Sequence, residues 1–149
     1  MKVAIASDHA GFEAKENIKQ QLAQMGVEYE DLGTNAGDVS VDYPDFAERV
    51  GHAVVNGEVE RGILICGSGI GVSIAANKIH GVRAALAWNK ETAELARHHN
   101  DANIIAIGGR TTPPENITEI VQAFLTNSFD SGGRHERRIE KIAELEKDA

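Results

Sequence analysis

The sequence predicts an α/β protein: a five-stranded parallel sheet with helices on both faces and an extra helix at the C-terminal end. Short apolar runs alternate with longer helical segments along the whole chain, which is the pattern of successive βα units. The run at residues 63–65 has no polar alternation, as expected of a strand buried on both faces of a parallel sheet. Glycines and prolines separate the segments. These observations predict a three-layer α/β/α arrangement with right-handed crossovers.

The first half of the chain predicts two strands and two helices. Gly26 ends the first helix, Asp42 is of the type that caps a helix N-terminus, and Pro44 suits a first turn. The elements are, in order, a strand at 3–6, a turn at 7–11, a helix at 12–25, a strand at 27–32, a polar loop at 33–41 and a helix from Asp42 to about 56.

The second half continues the alternation. Pro113 and Pro114 open one helix, and Gly132-Gly133 separates it from the last. The elements are a strand at 63–65, a helix at 72–77, a strand at 82–87, a helix at 90–99, a strand at 104–107, a helix to about 127 and a last helix at about 134–147. With no repeat or long linker, the chain is predicted to be one domain over residues 1–149.

Composition excludes several classes of protein. The net charge of -8 argues against nucleic acid or an anionic membrane as the main partner. No apolar run approaches about 20 residues, and the chain starts directly with a strand, so we expect neither a membrane span nor a signal peptide. A single cysteine excludes an intrachain disulfide, which favours a cytoplasmic location.

A glycine-rich turn follows the third strand, at Gly67, Gly69 and Gly71. Glycines there let the backbone approach a ligand closely and direct several N–H groups at it, beside a helix N-terminus. The turn therefore predicts an anion site, for a phosphate or for an oxyanion formed during a reaction. Nucleotide binding is disfavoured, because the spacing lacks the dinucleotide pattern G-x-G-x-x-G and the P-loop pattern is absent.

Cys66 and Ser68 lie in the same turn. A thiol near a helix N-terminus has its thiolate favoured, which suits a base or nucleophile, and the hydroxyl can move protons. The alternative for Cys66 is a small core residue.

Other polar residues follow the strands of the predicted sheet. Asp8 and His9 come after the first strand, and Arg110 comes after the fifth. Because the carboxyl ends of parallel strands share one edge, these residues are predicted to neighbour Cys66. Each could also be a capping or surface residue, and Asp8 is equally a turn former.

Two further groups lie near helix ends. His98 and His99 end the fourth helix, either as cations that complement the helix dipole or as acid–base residues. Arg134 and Arg138 are four residues apart and share a helix face, which suits phosphate or carboxylate recognition. Glutamates along this helix leave a solvated charged face as the alternative. No Cys or His cluster has the spacing of a zinc site.

Five motifs stand in a characteristic order. They are Ser7-Asp-His-Ala-Gly11, Asp42-Tyr-Pro44, Ile65-Cys-Gly-Ser-Gly-Ile-Gly-Val-Ser-Ile-Ala-Ala-Asn-Lys78, His98-His-Asn-Asp-Ala-Asn103 and Gly132-Gly-Arg-His135. In these motifs the chain resembles the ribose-5-phosphate isomerase B family over essentially its whole length. The resemblance implies a Rossmann-like fold and an isomerase of the pentose phosphate pathway. It would interconvert ribose 5-phosphate and ribulose 5-phosphate through a cis-enediolate, without metal or cofactor.

The resemblance also implies catalytic roles. Cys66 would move the proton between C1 and C2, and Ser68 would move protons between the two oxygens. The N–H groups from Gly67 to Gly71, including those of Gly69 and Ile70, would stabilise the enediolate. Some members use a glutamate after the third glycine as base, but here that position is Val72. The absence of that glutamate favours Cys66 as the base.

The remaining assignments concern the sugar and its phosphate. By the resemblance, His99 would open the furanose ring, while Asp8 and Asn100 would hold hydroxyls and Tyr43 would border the pocket. The groups that would grip the phosphate are His9, Arg110, Arg134 and Arg138. The family is similar in forming a homodimer whose sites are completed across the interface.

Alternatives remain open at this point. Isomerases of galactose 6-phosphate and allose 6-phosphate share much of the central motif, so a six-carbon substrate is the first alternative. A module that binds a sugar phosphate without turnover is the second, and it predicts a missing base or ring-opening group. A redox sensor is weaker, because Cys66 has no second cysteine to resolve an oxidised form.

Overall fold

The computed structural model describes residues 1–147 and shows a three-layer α/β/α Rossmann-like fold. Residues 148 and 149 of the predicted domain lie outside the described residues. The elements are β1 Lys2–Ser7, a single 3₁₀ turn His9–Gly11, α1 Phe12–Gln24, β2 Glu28–Asp31, α2 Tyr43–Val55, β3 Arg61–Cys66, α3 Ile70–Ala76, β4 Ala84–Leu86, α4 Lys90–Asn100, β5 Ile104–Gly108, α5 Pro114–Thr126 and α6 Arg134–Glu144.

The five strands are all parallel and lie in the order β2-β1-β3-β5-β4. The chain leaves β1 toward β2 on one side and returns to β3 on the other, so a topological switch point falls between β1 and β3. The register pairs Ser7 with Ile65 and Cys66 with Gly108. The carboxyl ends of the three central strands therefore meet at one edge of the sheet.

The sheet separates two hydrophobic cores. Isoleucines such as Ile63 and Ile105 pack on the side of α1, α4 and α5, whereas Leu64 and Ala106 pack on the side of α2 and α3. Residues 62–66 of β3 are all buried, which confirms the strand predicted from its continuous apolar run. The sixth helix packs on α4 and buries none of its own residues. No helix within residues 1–147 is both long and apolar enough to cross a bilayer.

Several element boundaries differ from the sequence prediction, among them those of the third helix, the fourth strand and the last helix. The third helix begins at Ile70 rather than at residue 72, so Gly71 belongs to its first turn. The strand β4 spans only residues 84–86, since it lies at the sheet edge and pairs with β5 alone. The last helix ends at Glu144, and residues 145–147 form a turn.

Asp42 occupies the N-cap position of α2, but its side chain makes no capping hydrogen bond. An N-cap side chain accepts from the N–H of the second or third helical residue. Pro44, the second residue, has no N–H, and the N–H of Asp45 donates to the Asp42 carbonyl instead (3.2 Å). The helix start was predicted, but the side-chain cap was not formed.

Candidate active site

Gly69 shapes the turn between β3 and α3. Its φ of +77° lies in the left-handed region, and a Cβ atom there would sit 2.8 Å from the carbonyl carbon of Ile107 and 2.9 Å from the nitrogen of Gly108. Only glycine meets both conditions without strain. The turn is thereby packed directly against the carboxyl end of β5.

Cys66 lies at the base of this turn and is 4% exposed. The N–H of Gly69 donates to its Sγ at 3.2 Å. This hydrogen bond fixes the position of the sulfur directly before the N-terminus of α3. The alternative of an ordinary core cysteine accounts for the burial but gives no reason for this hydrogen bond.

The turn holds both engaged and free N–H groups. The N–H of Ile70 donates to the Ser68 Oγ at 3.2 Å, so this N–H and that of Gly69 already have partners. No described residue accepts a hydrogen bond from the N–H of Gly67, Ser68 or Gly71. The anion cradle predicted over residues 67–71 thus has three free N–H donors rather than five. The other two, from Gly69 and Ile70, donate to the thiol and the hydroxyl.

Arg110 and His9 follow β5 and β1, the two strands that lie on either side of β3. The N–H of Arg110 donates to the Gly67 carbonyl at 3.0 Å, and His9 Nδ1 accepts the N–H of Val41 at 3.1 Å. Both side chains line a cleft of about 760 Å³ between α1 and the start of α5, with Glu13 on its wall. Cys66 does not line this cleft.

Asp8 and Tyr43 complete the group at this edge. Asp8 is buried, and its Oδ1 accepts the N–H of Gly11 at 3.1 Å. In this structure Asp8 therefore acts as a turn former. The ring of Tyr43, the first residue of α2, packs against Gly71 so closely that a Cβ on Gly71 would collide with it. Tyr43 therefore borders the turn on the side of α2.

His99 and Asn100 lie at the opposite edge of the sheet. Helix α4 connects two parallel strands, so it runs against them and ends where β5 begins. The Asn100 carbonyl accepts from Arg83, directly before β4, and the Asn103 carbonyl accepts from Gly62, near the start of β3. The six residues of β3 span about 17 Å. One chain therefore does not bring His99 together with Cys66.

Helix α6 adds its arginines to this second edge. The rings of His99 and His135 stack with centroids 4.1 Å apart and planes 10° from parallel. Arg134 and Arg138 are exposed, and neither forms an ion pair within the described part of the chain. Desolvation, followed by His99 and the two arginines, lowers the pKa of His135 below its usual value.

The site residues thus form two groups in one chain. The carboxyl-edge group contains Asp8, His9, Tyr43, residues 66–71 and Arg110. The amino-edge group contains His99, Asn100, Arg134 and Arg138. Within residues 1–147, no group of three or more His, Cys, Asp or Glu side chains is placed to hold a metal ion.

Two charged networks that were not predicted from the sequence support these groups. Arg97 is buried, and it donates to Asp101 Oδ1 (2.8 Å), the Ala102 carbonyl (2.7 Å) and the Asn127 carbonyl (3.2 Å). It thereby fixes the end of α4 beside His99 to the segment that leads to α6. The i,i+4 spacing of Arg97 and Asp101 was the available signal.

The second network joins α1 to β2. The ammonium of Lys15, which is fully buried, contacts both Asp31 oxygens at 2.6 and 2.7 Å, and Lys19 contacts Oδ2 at 2.9 Å. Asp31 Oδ1 also accepts the N–H of Gly33 at 2.9 Å. Burial raises the pKa of Asp31, but these hydrogen bonds outweigh it, so the pKa lies below its ordinary value. The network anchors the loop that begins at Gly33.

The chain is similar to known proteins over nearly its whole length. A family model described as Ribose/Galactose Isomerase matches residues 3–142. A ribose-5-phosphate isomerase B of Escherichia coli (strain K12) is 45% identical, over 97% of this chain and 96% of that protein. A structure of the Clostridium thermocellum ribose-5-phosphate isomerase B superposes with a TM-score of 0.96 at 48% identity, covering 99% of each chain. A Mycoplasma genitalium structure with bound ribulose-5-phosphate superposes with a TM-score of 0.93 at 44% identity, covering 99% of this chain and 97% of that chain.

Proposed function

The chain belongs to the ribose/galactose isomerase family, and we propose that it is an isomerase that interconverts ribose 5-phosphate and ribulose 5-phosphate. One observation carries this proposal: the Gly69 N–H donates to the Cys66 sulfur inside a turn that keeps further N–H donors free. Such a turn pairs a base with an anion cradle, which is what enolisation of a sugar needs. The relatives named ribose-5-phosphate isomerase B support the choice of a pentose phosphate.

The proposed reaction needs only proton transfers. The Cys66 thiolate removes the proton on C2 of the open-chain aldose, the electrons of that bond form the C1–C2 double bond, and the C1 oxygen becomes negative. Cys66 then returns the proton to C1 while the proton on O2 moves to O1, which yields the ketose. Because one base serves both carbons, the intermediate is a cis-enediolate. Val72 leaves no carboxylate at the position where some family members have a glutamate.

The free donors of the turn support this intermediate. The N–H groups of Gly67, Ser68 and Gly71 can stabilise the enediolate oxygen, and fixed dipoles do so without reorganisation during the reaction. The Ser68 Oγ accepts from Ile70, which leaves its own proton free to move between O1 and O2. We therefore propose a mechanism without a metal ion.

A homodimer would unite the two groups of site residues. His99, with the proposed role in ring opening, and Asn100 lie a strand's length from Cys66, so a second copy must supply them to each site. The same copy would bring Arg134 and Arg138 to a phosphate held by His9 and Arg110. Ile70, Ile74 and Trp88 are 53%, 58% and 60% exposed, which offers apolar surface beside the turn for a partner subunit.

Turnover of two sugars in parallel tests the proposed function. Purified protein in excess chelator is given ribose 5-phosphate or allose 6-phosphate, and formation of the ketose is followed, with the Cys66→Ala variant prepared identically as the control for contaminating isomerase. We expect rapid conversion of the pentose, little of the hexose and, with the variant, a rate at least about 100-fold lower. Preference for the hexose would move the substrate to the six-carbon alternative, and no turnover of either would favour a binding module.

A further inference from the structure

We propose that the backbone N–H of Val41 fixes His9 as a neutral imidazole with its proton on Nε2, so that His9 serves the phosphate site as an uncharged N–H donor. The inference rests on the proposed function for the identity of the anion. It assigns a positioning role to Val41. His9 then orients the phosphate through a neutral N–H donor, whereas the arginines supply the positive charge.

The hydrogen bond itself sets the tautomer. The Val41 N–H donates to His9 Nδ1 at 3.1 Å. A ring nitrogen that accepts a hydrogen bond carries no proton, and an imidazolium carries a proton on both nitrogens. The contact therefore requires the neutral form with the proton on Nε2. That nitrogen has no hydrogen-bond partner among the described residues, and His9 lines the same cleft as Arg110.

The loop that carries Val41 is held firmly at its start. The Gly33 carbonyl accepts from the N–H of Ser7 at 2.7 Å, and the Thr34 N–H donates to the Ser7 carbonyl at 2.8 Å. The Gly33 N–H is bound by Asp31, which Lys15 pins to α1. At its other end the loop leads into α2, whose Phe46 is buried. Val41 is thus placed by two anchored elements.

Acidic and basic side chains both line the cleft beside His9, so they do not select the charge of the ring, and the hydrogen bond from Val41 does. Glu13 and Arg110 line the same cleft, as does Glu115 at the start of α5. The Asp8 carboxylate, the nearest acidic neighbour in sequence, already accepts the N–H of Gly11. Arginine guanidiniums supply permanent charge for a phosphate dianion. A neutral donor of fixed orientation adds direction that does not depend on protonation of the ring.

Nitrogen NMR of the wild-type protein tests the tautomer directly. In protein labelled with ¹⁵N-histidine, two-bond proton–nitrogen correlations at pH 7.5 distinguish the three forms of the ring, and His9→Gln identifies the His9 signals by their loss. We expect an unprotonated Nδ1 and a protonated Nε2. An imidazolium pattern, or a proton on Nδ1, would overturn the proposal. Since no turnover is measured, this result is independent of the proposed function.

A pair of loop variants tests the consequence for anion binding. Val41→Pro removes the N–H, whereas Val39→Pro places a proline at an exposed position of the same loop and keeps it. Inorganic phosphate is the probe, and its dissociation constant is measured by calorimetry. We expect about a tenfold weakening and a mixture of His9 tautomers in Val41→Pro only. Equal effects of the two prolines, or an unchanged tautomer in Val41→Pro, would contradict the role of Val41; if that variant does not fold, the wild-type spectrum decides.

Discussion

The imidazole rings of His99 and His135 stack face to face, with centroids 4.1 Å apart and planes 10° from parallel. Through this contact the start of α6 is fixed to the end of α4. Arg134 and Arg138 are therefore held in one unit with His99, at the edge of the sheet opposite Cys66. Each half of the proposed site is organised within one chain, and the proposed homodimer would join the halves.

Mixed dimers test this division of the site. Cys66→Ala and His99→Asn each disable one half, so each variant alone is expected to be nearly inactive. After subunit exchange in an equal mixture, half of the dimers are mixed and each holds one intact site of two, so activity should recover to about one quarter of wild type. Recovery is measured on ribose 5-phosphate.

The control is Cys66→Ala mixed with the double variant Cys66→Ala/His99→Asn, which forms no intact site. Native mass spectrometry verifies that mixed dimers are present. If they are present and activity does not recover, the two halves do not belong to different chains.

Cys66→Ala separates catalysis from binding. Loss of the proposed base should lower kcat by about 10²–10⁴-fold, the usual contribution of general base catalysis. Binding of ribulose 5-phosphate, measured by calorimetry, should change little, because His9 and the arginines are the residues proposed to hold the phosphate. Ser68→Ala is the matched comparison, since it removes a hydroxyl from the same turn and should reduce kcat less. Parallel loss of binding and activity in Cys66→Ala would argue against this division of roles.

The carboxyl-edge group of candidate residues could be predicted from short stretches of sequence. The glycines around Cys66 and the apolar run before them are contiguous, and a parallel sheet brings the residues after its strands to one edge, as Arg110 and Gly67 show. The separation of His99 from Cys66 follows from the direction of α4, a property of the fold that no single motif contains. The motifs therefore contain residues of both groups, but they do not show that the two groups lie at opposite edges of the sheet.

The strand order and the buried charge of Lys15 could not be predicted from the sequence, because both depend on contacts between distant segments. Nothing in the periodicity of the strands shows that β5 lies between β3 and β4, because pairing is decided by packing of distant segments. Lys15 lies in an otherwise ordinary amphipathic helix, and lysine is rarely buried. Its burial depends on Asp31, which is close only once β2 has paired beside β1.

Arg138→Ala tests the phosphate assignment, with Arg137→Ala as the control. Both side chains are exposed on α6, but they point about 100° apart and lie on opposite sides of Arg134, and only Arg138 is assigned to the proposed phosphate site. Hydrogen bonds to charged groups contribute about 1.5–3 kcal/mol, which predicts at least about a tenfold rise in KM for Arg138→Ala. The KM of Arg137→Ala should stay close to wild type. Equal KM values for the two variants would remove Arg138 from the phosphate site.

Asp31→Asn tests the buried network behind the loop. The substitution removes the closer carboxylate partner of the Lys15 ammonium, whose side chain is 1% exposed, and leaves it only Glu16 at 3.4 Å. Breaking a buried ion pair in this way costs about 3–5 kcal/mol, so the free energy of unfolding in urea at pH 7 should fall by about that amount. Glu30→Gln is the matched control on β2, because the Glu30 pair with Lys2 is exposed at 4.0 Å and should contribute less than about 1 kcal/mol.

Acid should erase the effect of Asp31→Asn. Burial raises the pKa of Asp31, but the hydrogen bonds from Lys15, Lys19 and the Gly33 N–H lower it further, so the folded value lies below the unfolded value of about 3.9. The stabilisation is therefore complete above about pH 4 to 5 and is lost as pH falls through the folded pKa. We expect the difference between wild type and variant to shrink when urea unfolding is repeated at successively lower pH. A difference that is the same at pH 7 and in acid, or no larger than that of Glu30→Gln at pH 7, would show that the Asp31 charge does not stabilise the fold.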